Sequence, residues 1–321
     1  MTHSTMKKAL VTGAGGFAGS FLIEQLLERK DFNVSGTYVS DDQPRLFKPD
    51  QVELEKLDLM DAVATLDLIK KIKPDYVFHL AALTSPSESF VNPSGTIINN
   101  ITAQVNLLEA IKSDSVHSKV LIVSSADVYG SVAQDDLPID EETPLRPVSP
   151  YAVSKIAQDF LGLQYYLSYG VKVVRVRPFN HIGPRQSARF VVPSFAKQIA
   201  EIEKGGKEPT IYVGNLSSKR DFTDVRDMMA AYLLAIEKGD LGDVYNIGSG
   251  VSHQIQEILD MLLSFSLKKI SVKIDKAKFR PKDELELVCD KNKFTKQTGW
   301  EPKINIEKTL KDTLDYWRDI V

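Results

Sequence analysis

Tyr151 and Lys155 stand four residues apart in the stretch SPYAVSK. On a helix that spacing brings both side chains onto one face. An ammonium beside a phenol favours the phenolate, so the sequence predicts a tyrosine drawn down from its usual ~10 towards neutrality. Such a group passes a proton to or from an alcohol or sugar oxygen. Ser125, in KVLIVSSADVYG, follows an apolar run that reads as a buried strand, and its hydroxyl can hold the same oxygen. Asp127 comes two residues later and is a candidate for moving further protons.

A second cluster supplies what that proton chemistry needs. LVTGAGGFAGSFL sets Gly13, Gly16 and Gly19 at three-residue spacing between a strand and a helix. Glycines there allow a tight turn and close backbone approach, with the helix N-terminus facing a pyrophosphate. The expected cofactor is NAD or NADP, and the positive charge of an oxidised nicotinamide would favour the Tyr151 phenolate further. The choice between the two dinucleotides stays open. In GTYVSDDQPR, Asp41 and Asp42 come slightly late for a ribose, and Arg45 could meet a 2′-phosphate. Asp58, in KLDLMD, is placed either to meet the adenine amino group or to cap the next helix.

These residues need a scaffold, and the pattern of apolar runs describes one. Short apolar strands at 7–12, 34–39, 52–57, 76–80, 120–124 and 171–177 alternate with helical patterns at 17–29, 62–72, 96–112 and 151–169. That rhythm implies βαβ units and an α/β fold: a Rossmann-type doubly wound parallel sheet covered by helices. After about Phe179 the rhythm breaks. Helices are expected near 192–203, 225–238, 254–265 and 306–318, with strands at 211–214, 244–247 and 272–274. The reading is a dinucleotide domain over 1–179 and a smaller α/β substrate domain over 180–321, some of whose segments cross back. The cleft between them is the expected ligand site.

Composition excludes several other classes. The chain has 321 residues and a formal net charge of -3, with no block of like charge suited to nucleic acid. No apolar run approaches the roughly 18 residues of a membrane span. The N-terminus lacks a signal-peptide pattern, so a cytoplasmic enzyme is expected. A single cysteine, Cys289, leaves no internal disulfide and no cysteine-based metal cluster; it is expected to be buried, and no metal is called for.

In these motifs the chain resembles the extended short-chain dehydrogenase/reductase family. The resemblance rests on the Gly13/Gly16/Gly19 turn, HLAA at 79–82, Asn100 in NNITAQVNLLEA, SSADVYG, YAVSK and RPFNHIGP, and continues through GDVYNIGSG and TGWEPKINIEKTL. It implies Ser125, Tyr151 and Lys155 as the catalytic triad, with Asp127 beside them. It implies Gly13, Gly16, Phe17, Ala18, Asp58, Leu59, Leu80, Ala81, Ala82, Asn100, Tyr151, Lys155 and Pro178 as cofactor-binding. His79 is implied to be structural. Family members mostly act on nucleotide sugars, as homodimers built on a four-helix bundle, here the helices near 96–112 and 151–169.

The later motifs look most like the GDP-sugar branch. A diphosphate needs about two positive charges in fork geometry, which arginine supplies better than lysine. The expected substrate-binding set is Ser125, Asn180, Arg185, Arg189, Val191, Lys197, Arg220, Arg280 and Asp283, with Glu284 as an alternative to Asp283. The match is closest to GDP-4-keto-6-deoxy-mannose reductases, with GDP-mannose 4,6-dehydratases as the sister group. Dehydratases usually carry Gln-Asp-Gly in the glycine turn, where this chain has Phe17-Ala18-Gly19, and an Arg-Arg pair where this chain has Arg185-Gln186. They also keep a glutamate two residues after the triad hydroxyl, the position of Asp127. A C4-epimerase, or a binding protein that keeps the fold without catalysis, are the remaining readings.

Overall fold

The computed structural model describes residues 6–40, 47, 50–114, 117–279 and 286–321. Seven parallel strands form the main sheet: β1 (Lys7–Thr12), β2 (Phe32–Tyr38), β3 (Glu53–Lys56), β4 (Tyr76–His79), β5 (Lys119–Val123), β6 (Lys172–Pro178) and β10 (Val244–Ile247), in the order β10-β6-β5-β4-β1-β2-β3. The chain runs outward from β1 to β3, then returns to β4 on the other side of β1. That reversal opens a crevice at the carboxyl ends of β1 and β4, where such sheets bind ligands.

Helices cover both faces because strands such as Ala-Leu-Val in β1 are apolar on both sides. On one face α1 (Phe17–Arg29) and α7 (Val225–Lys238) bury Leu22, Leu26, Met228 and Tyr232 against the sheet. On the other, α2 (Ala62–Ile72), α4 (Pro93–Ser113) and α5 (Pro150–Tyr169) bury Leu68, Leu107 and Tyr165. α3 (Pro86–Val91) is a short helix between β4 and α4.

The remaining elements form a smaller layer. β9 (Lys219–Asp224) is flanked by β7 (Asn180–Ile182), β11 (Ser252–Gln254) and β13 (Glu286–Leu287), and β8 (Thr210–Val213) pairs with β12 (Ser271–Ile274). Helices α6 (Val191–Glu203), α8 (Ile255–Ser264) and α10 (Ile306–Ile320) enclose a separate core around Phe195, Leu259 and Leu314. α9 (Asn292–Thr298) packs Phe294 into the main core. Segments beyond Phe179 thus cross back: β10 pairs with β6, and α7 packs on α1.

The sequence misses α3, α9, β7, β9, β11 and β13. β9 reads KRDFTD, too polar for a strand pattern, yet five of its six residues are buried. Its carboxylates explain why. Asp221 accepts from Ser249 and Gly250 backbone N–H groups, and Asp224 caps α7 and pairs with Arg226. Buried polar groups are tolerated where every lone pair finds a donor.

Candidate active site

Four strand ends converge on one cavity of about 1040 Å³. The turn after β1 brings Gly13, Gly16, Phe17 and Ala18; the end of β3 brings Asp58 and Leu59; the end of β4 brings Leu80, Ala81 and Ala82; the end of β5 brings Ser125 and Asp127. Tyr151 and Lys155 from α5, Pro178 at the end of β6 and Asn180 at the start of β7 complete the wall. These predicted residues are scattered between Gly13 and Asn180 in sequence yet line one space.

The glycine turn fits a dinucleotide phosphate. Gly13 has φ +72°, and a Cβ there would lie 3.0 Å from the Ala81 nitrogen. A Cβ on Gly19 would lie 2.2 Å from the Gly13 carbonyl oxygen, so α1 could not pack this close to β1. Gly16 caps α1 with no side-chain acceptor, which leaves first-turn N–H groups for an anion. Asp58 accepts from the Met60 N–H and lines the cavity, while Asp61 is the residue that caps α2.

Ser149 caps α5 by accepting from the Ala152 N–H at 3.1 Å, with Pro150 opening the helix. That start places Tyr151 in the first turn and Lys155 one turn later. The Ser125 hydroxyl stands by the Tyr151 phenol and acts to lower its titration. Ser125 opens a short 3₁₀ turn (Ala126–Val128), its oxygen accepting from the Asp127 N–H at 3.2 Å. Lys155 Nζ donates to the Val123 carbonyl and to Gln158 Oε1, both at 2.9 Å.

The expected drop in the tyrosine is corrected by these surroundings. Burial pushes the Tyr151 phenol up, the Asp127 carboxylate adds to this, and the Ser125 hydroxyl only partly opposes it. The ammonium does not reverse the balance. Its Nζ lies 6.0 Å from the Tyr151 ring centroid, and burial pushes Lys155 itself down to about 7. His79 is fully enclosed and is pushed down to about 3 by burial first and the Lys155 charge second. Its Nδ1 meets the Thr12 hydroxyl at 3.0 Å. Thr12 Oγ1 accepts from the Leu80 and Ala81 N–H groups, so its own proton goes to His79.

Three predicted residues stand elsewhere. Asn100 is not at the cavity wall: its amide is engaged by Leu83 N–H, Leu83 C=O and the Ser154 hydroxyl, fixing α4 to the segment after β4 and to α5. Arg185 is drawn off by Glu24, with two bonds at 2.9 and 2.7 Å and its guanidinium 3.7 Å from the Phe21 ring centroid. It ties the loop after β7 to α1 rather than facing a ligand. Lys197 lies over the Trp317 ring, beside Glu201, away from the cavity. Arg189, Val191 and Arg220 do line it. Asp41, Asp42, Arg45, Arg280, Asp283 and Glu284 lie outside the described residues.

The cavity also holds residues that the sequence did not single out for binding. Gln186 is buried, its Nε2 donates to the His181 carbonyl at 3.0 Å, and its Oε1 has no partner. Tyr212, Asn215, Ser218 and Lys278 line the end away from the glycine turn. The β8–β12 pair and the segment leading into β9 bring them there; Asn215 and Ser218 fall in the stretch VGNLSSKRDFTDVRD, where the sequence singles out only Arg220.

Comparison with known proteins agrees with this geometry. The family model described as GDP-mannose 4,6 dehydratase matches residues 10–313. The GDP-6-deoxy-D-mannose reductase of Pseudomonas aeruginosa is 37% identical over 266 residues, covering 83% of this chain and 87% of that protein. GDP-mannose 4,6 dehydratase 1 of Arabidopsis thaliana is 32% identical, covering 96% of this chain and 89% of that protein. The solved structure of RMD from Pseudomonas aeruginosa complexed with NADPH matches with a TM-score of 0.86 at 34% identity, over 98% of this chain and 100% of that one. With its glycine turn, its serine at a strand end and its Tyr-x-x-x-Lys helix around one cavity, the chain belongs to the GDP-mannose 4,6-dehydratase family of extended short-chain dehydrogenases/reductases.

Proposed function

We propose that this protein reduces the C4 keto group of GDP-4-keto-6-deoxy-D-mannose, using NADH or NADPH, to GDP-D-rhamnose or its C4 epimer. The observation that carries the reading is Tyr151, buried in the same cavity wall as Ser125 and the Asp127 carboxylate. Those surroundings keep the phenol protonated, the form needed to give a proton to a keto oxygen. A dehydratase begins by oxidising C4 and needs the phenolate first. The reductase similarity at 37% identity supports the same choice.

The glycine turn and the start of α1 would hold the pyrophosphate, Asp58 and Leu59 the adenosine end, and Tyr151 and Lys155 the nicotinamide ribose. A bound reduced nicotinamide supplies the hydride that C4 receives. Ser125 donates a hydrogen bond to the oxygen as it gains charge, and Tyr151 delivers its proton there. Lys155, when charged, stabilises the phenolate left behind. Asn180, Arg189 and Arg220 are assigned to the sugar diphosphate. Arg280 and Asp283 are assigned to the substrate by resemblance alone.

One observation favours 4,6-dehydration as a second reading: Asp127 lines the cavity at the position where dehydratases keep a glutamate. Aspartate is one methylene shorter, a loss of roughly 1.5 Å in reach. Proton transfer at C5 and C6 tolerates such a misplacement only at a large rate cost. The protein is further proposed to be a homodimer paired through α4 and α5.

The test is a pair of assays. GDP-4-keto-6-deoxy-D-mannose with NAD(P)H is expected to show cofactor oxidation, and Tyr151→Phe to lower it by about 10²–10⁴-fold. Conversion of GDP-mannose alone to a keto sugar, without net cofactor use, overturns the reductase assignment.

A further inference from the structure

Lys155 is 4% exposed and its ammonium donates to two neutral oxygens, Val123 O and Gln158 Oε1. Gln158 lies three residues along α5, on the same face, and is 1% exposed. Its Nε2 donates to the Asn100 carbonyl of α4 at 2.9 Å. Gln104 of α4 donates to the Gln158 main-chain carbonyl at 2.7 Å. The Lys155 and Asn100 contacts set the side-chain amide's orientation, and the Gln104 contact holds the main chain beneath it. Turned over, its NH₂ would face the ammonium, and its oxygen would face the Asn100 carbonyl.

Gln158 carries no charge, touches no cavity wall and belongs to none of the motifs above. We propose that Gln158 is a positioning residue for Lys155: its amide oxygen, held from α4, fixes the ammonium beside the Val123 carbonyl and sets how much of it stays charged. The proposal rests on Lys155 having the role assigned to it under the proposed function.

The surrounding charged groups leave this oxygen its influence. His79, facing from β4, is kept neutral by burial. Asp159, next on α5, is held by Arg175 and Arg177. Asp127, on the Ser125 turn, acts on Tyr151, the phenol on α5 itself. Burial already pushes Lys155 down to about 7, so a change in one acceptor moves its charge through neutral pH. A hydrogen bond to a charged group is worth more than one between neutral groups, and more still out of water.

The test reads the lysine directly. Competitive acetylation of Lys155 by acetic anhydride, followed by peptide mass spectrometry over a pH series, gives its titration midpoint without substrate or cofactor. Gln158→Leu removes the acceptor, and its midpoint is expected to fall by about one pH unit; Gln158→Glu makes the acceptor anionic, and its midpoint is expected to rise by about one unit or more. The pH profile of kcat should move the same way in each variant, with KM little changed. Midpoints that stay at the wild-type value, or move in the same direction in both variants, overturn the proposal. Circular dichroism checks folding, and the midpoint of either folded variant decides the matter if the other does not fold. If the sugar assignment fails, turnover is lost as evidence, and the acetylation midpoints still decide the role of Gln158.

Discussion

Arg177 donates from Nε to Asp159 Oδ2 at 2.7 Å, with both side chains buried. Asp159 lies one turn beyond Lys155, and its other oxygen is taken by Arg175. Arg177 also donates to the Tyr129 hydroxyl at 3.0 Å, and Tyr129 ends the turn that Ser125 opens. An ionic strut thus joins the lysine helix to the serine turn. Asp159→Asn leaves two buried guanidiniums facing a neutral amide. Loss of one partner of a buried pair costs about 3–5 kcal/mol, and a urea unfolding curve should show it. A wild-type midpoint would mean that the pair contributes nothing net.

Asp127 divides the two reactions considered for this site. Its charge helps to hold the Tyr151 phenol up. Asp127→Asn should therefore lower the tyrosine's titration. Reduction needs the protonated phenol, so the alkaline fall in activity should begin at lower pH. Turnover at neutral pH should stay within about tenfold, a barrier change of ~1.4 kcal/mol. Complete loss of activity in this variant would favour the dehydratase reading.

His79 makes stability depend on acid. Its unfolded value is near 6.5, and burial brings the folded one to about 3. Between these values the unfolded chain binds a proton that the folded chain does not. The stability from the neutral, buried histidine is fully present above 6.5 and is lost as pH falls towards 3. His79→Gln should flatten that slope by up to about 1.4 kcal/mol per pH unit. Unfolding curves at several pH values check it; equal slopes in both proteins would contradict it.

Val153, Phe160 and Leu167 repeat every seven residues along α5 and are 45, 49 and 70% exposed. Ile98 on α4 is exposed as well. An apolar stripe of this kind left facing water calls for a cover. Phe160→Glu should convert a dimer to a monomer in light scattering coupled to gel filtration. An unchanged mass would move the interface elsewhere.

Much of the site was legible because its residues follow strands. Gly13, Leu80, Ser125 and Pro178 each come just after an apolar run, and a parallel sheet brings all such ends to one edge. The spacing of Tyr151 and Lys155 needs only a helix to become a shared face. What one-dimensional pattern could not reveal is where long side chains go. Arg185 and Arg189 look alike in sequence, yet Glu24 draws the first away while the second, paired with Glu88, stays at the cavity wall. β9 was invisible because its stabilising partners come from distant loops. The direction of the Tyr151 shift was also decided in three dimensions. Sequence showed a lysine four residues away; tertiary packing removed the water from both groups and brought the Val123 carbonyl of β5 to the ammonium. Helical and strand periodicity are local and written in the chain. Burial, and the choice of partner for each charge, arise only when separate segments meet.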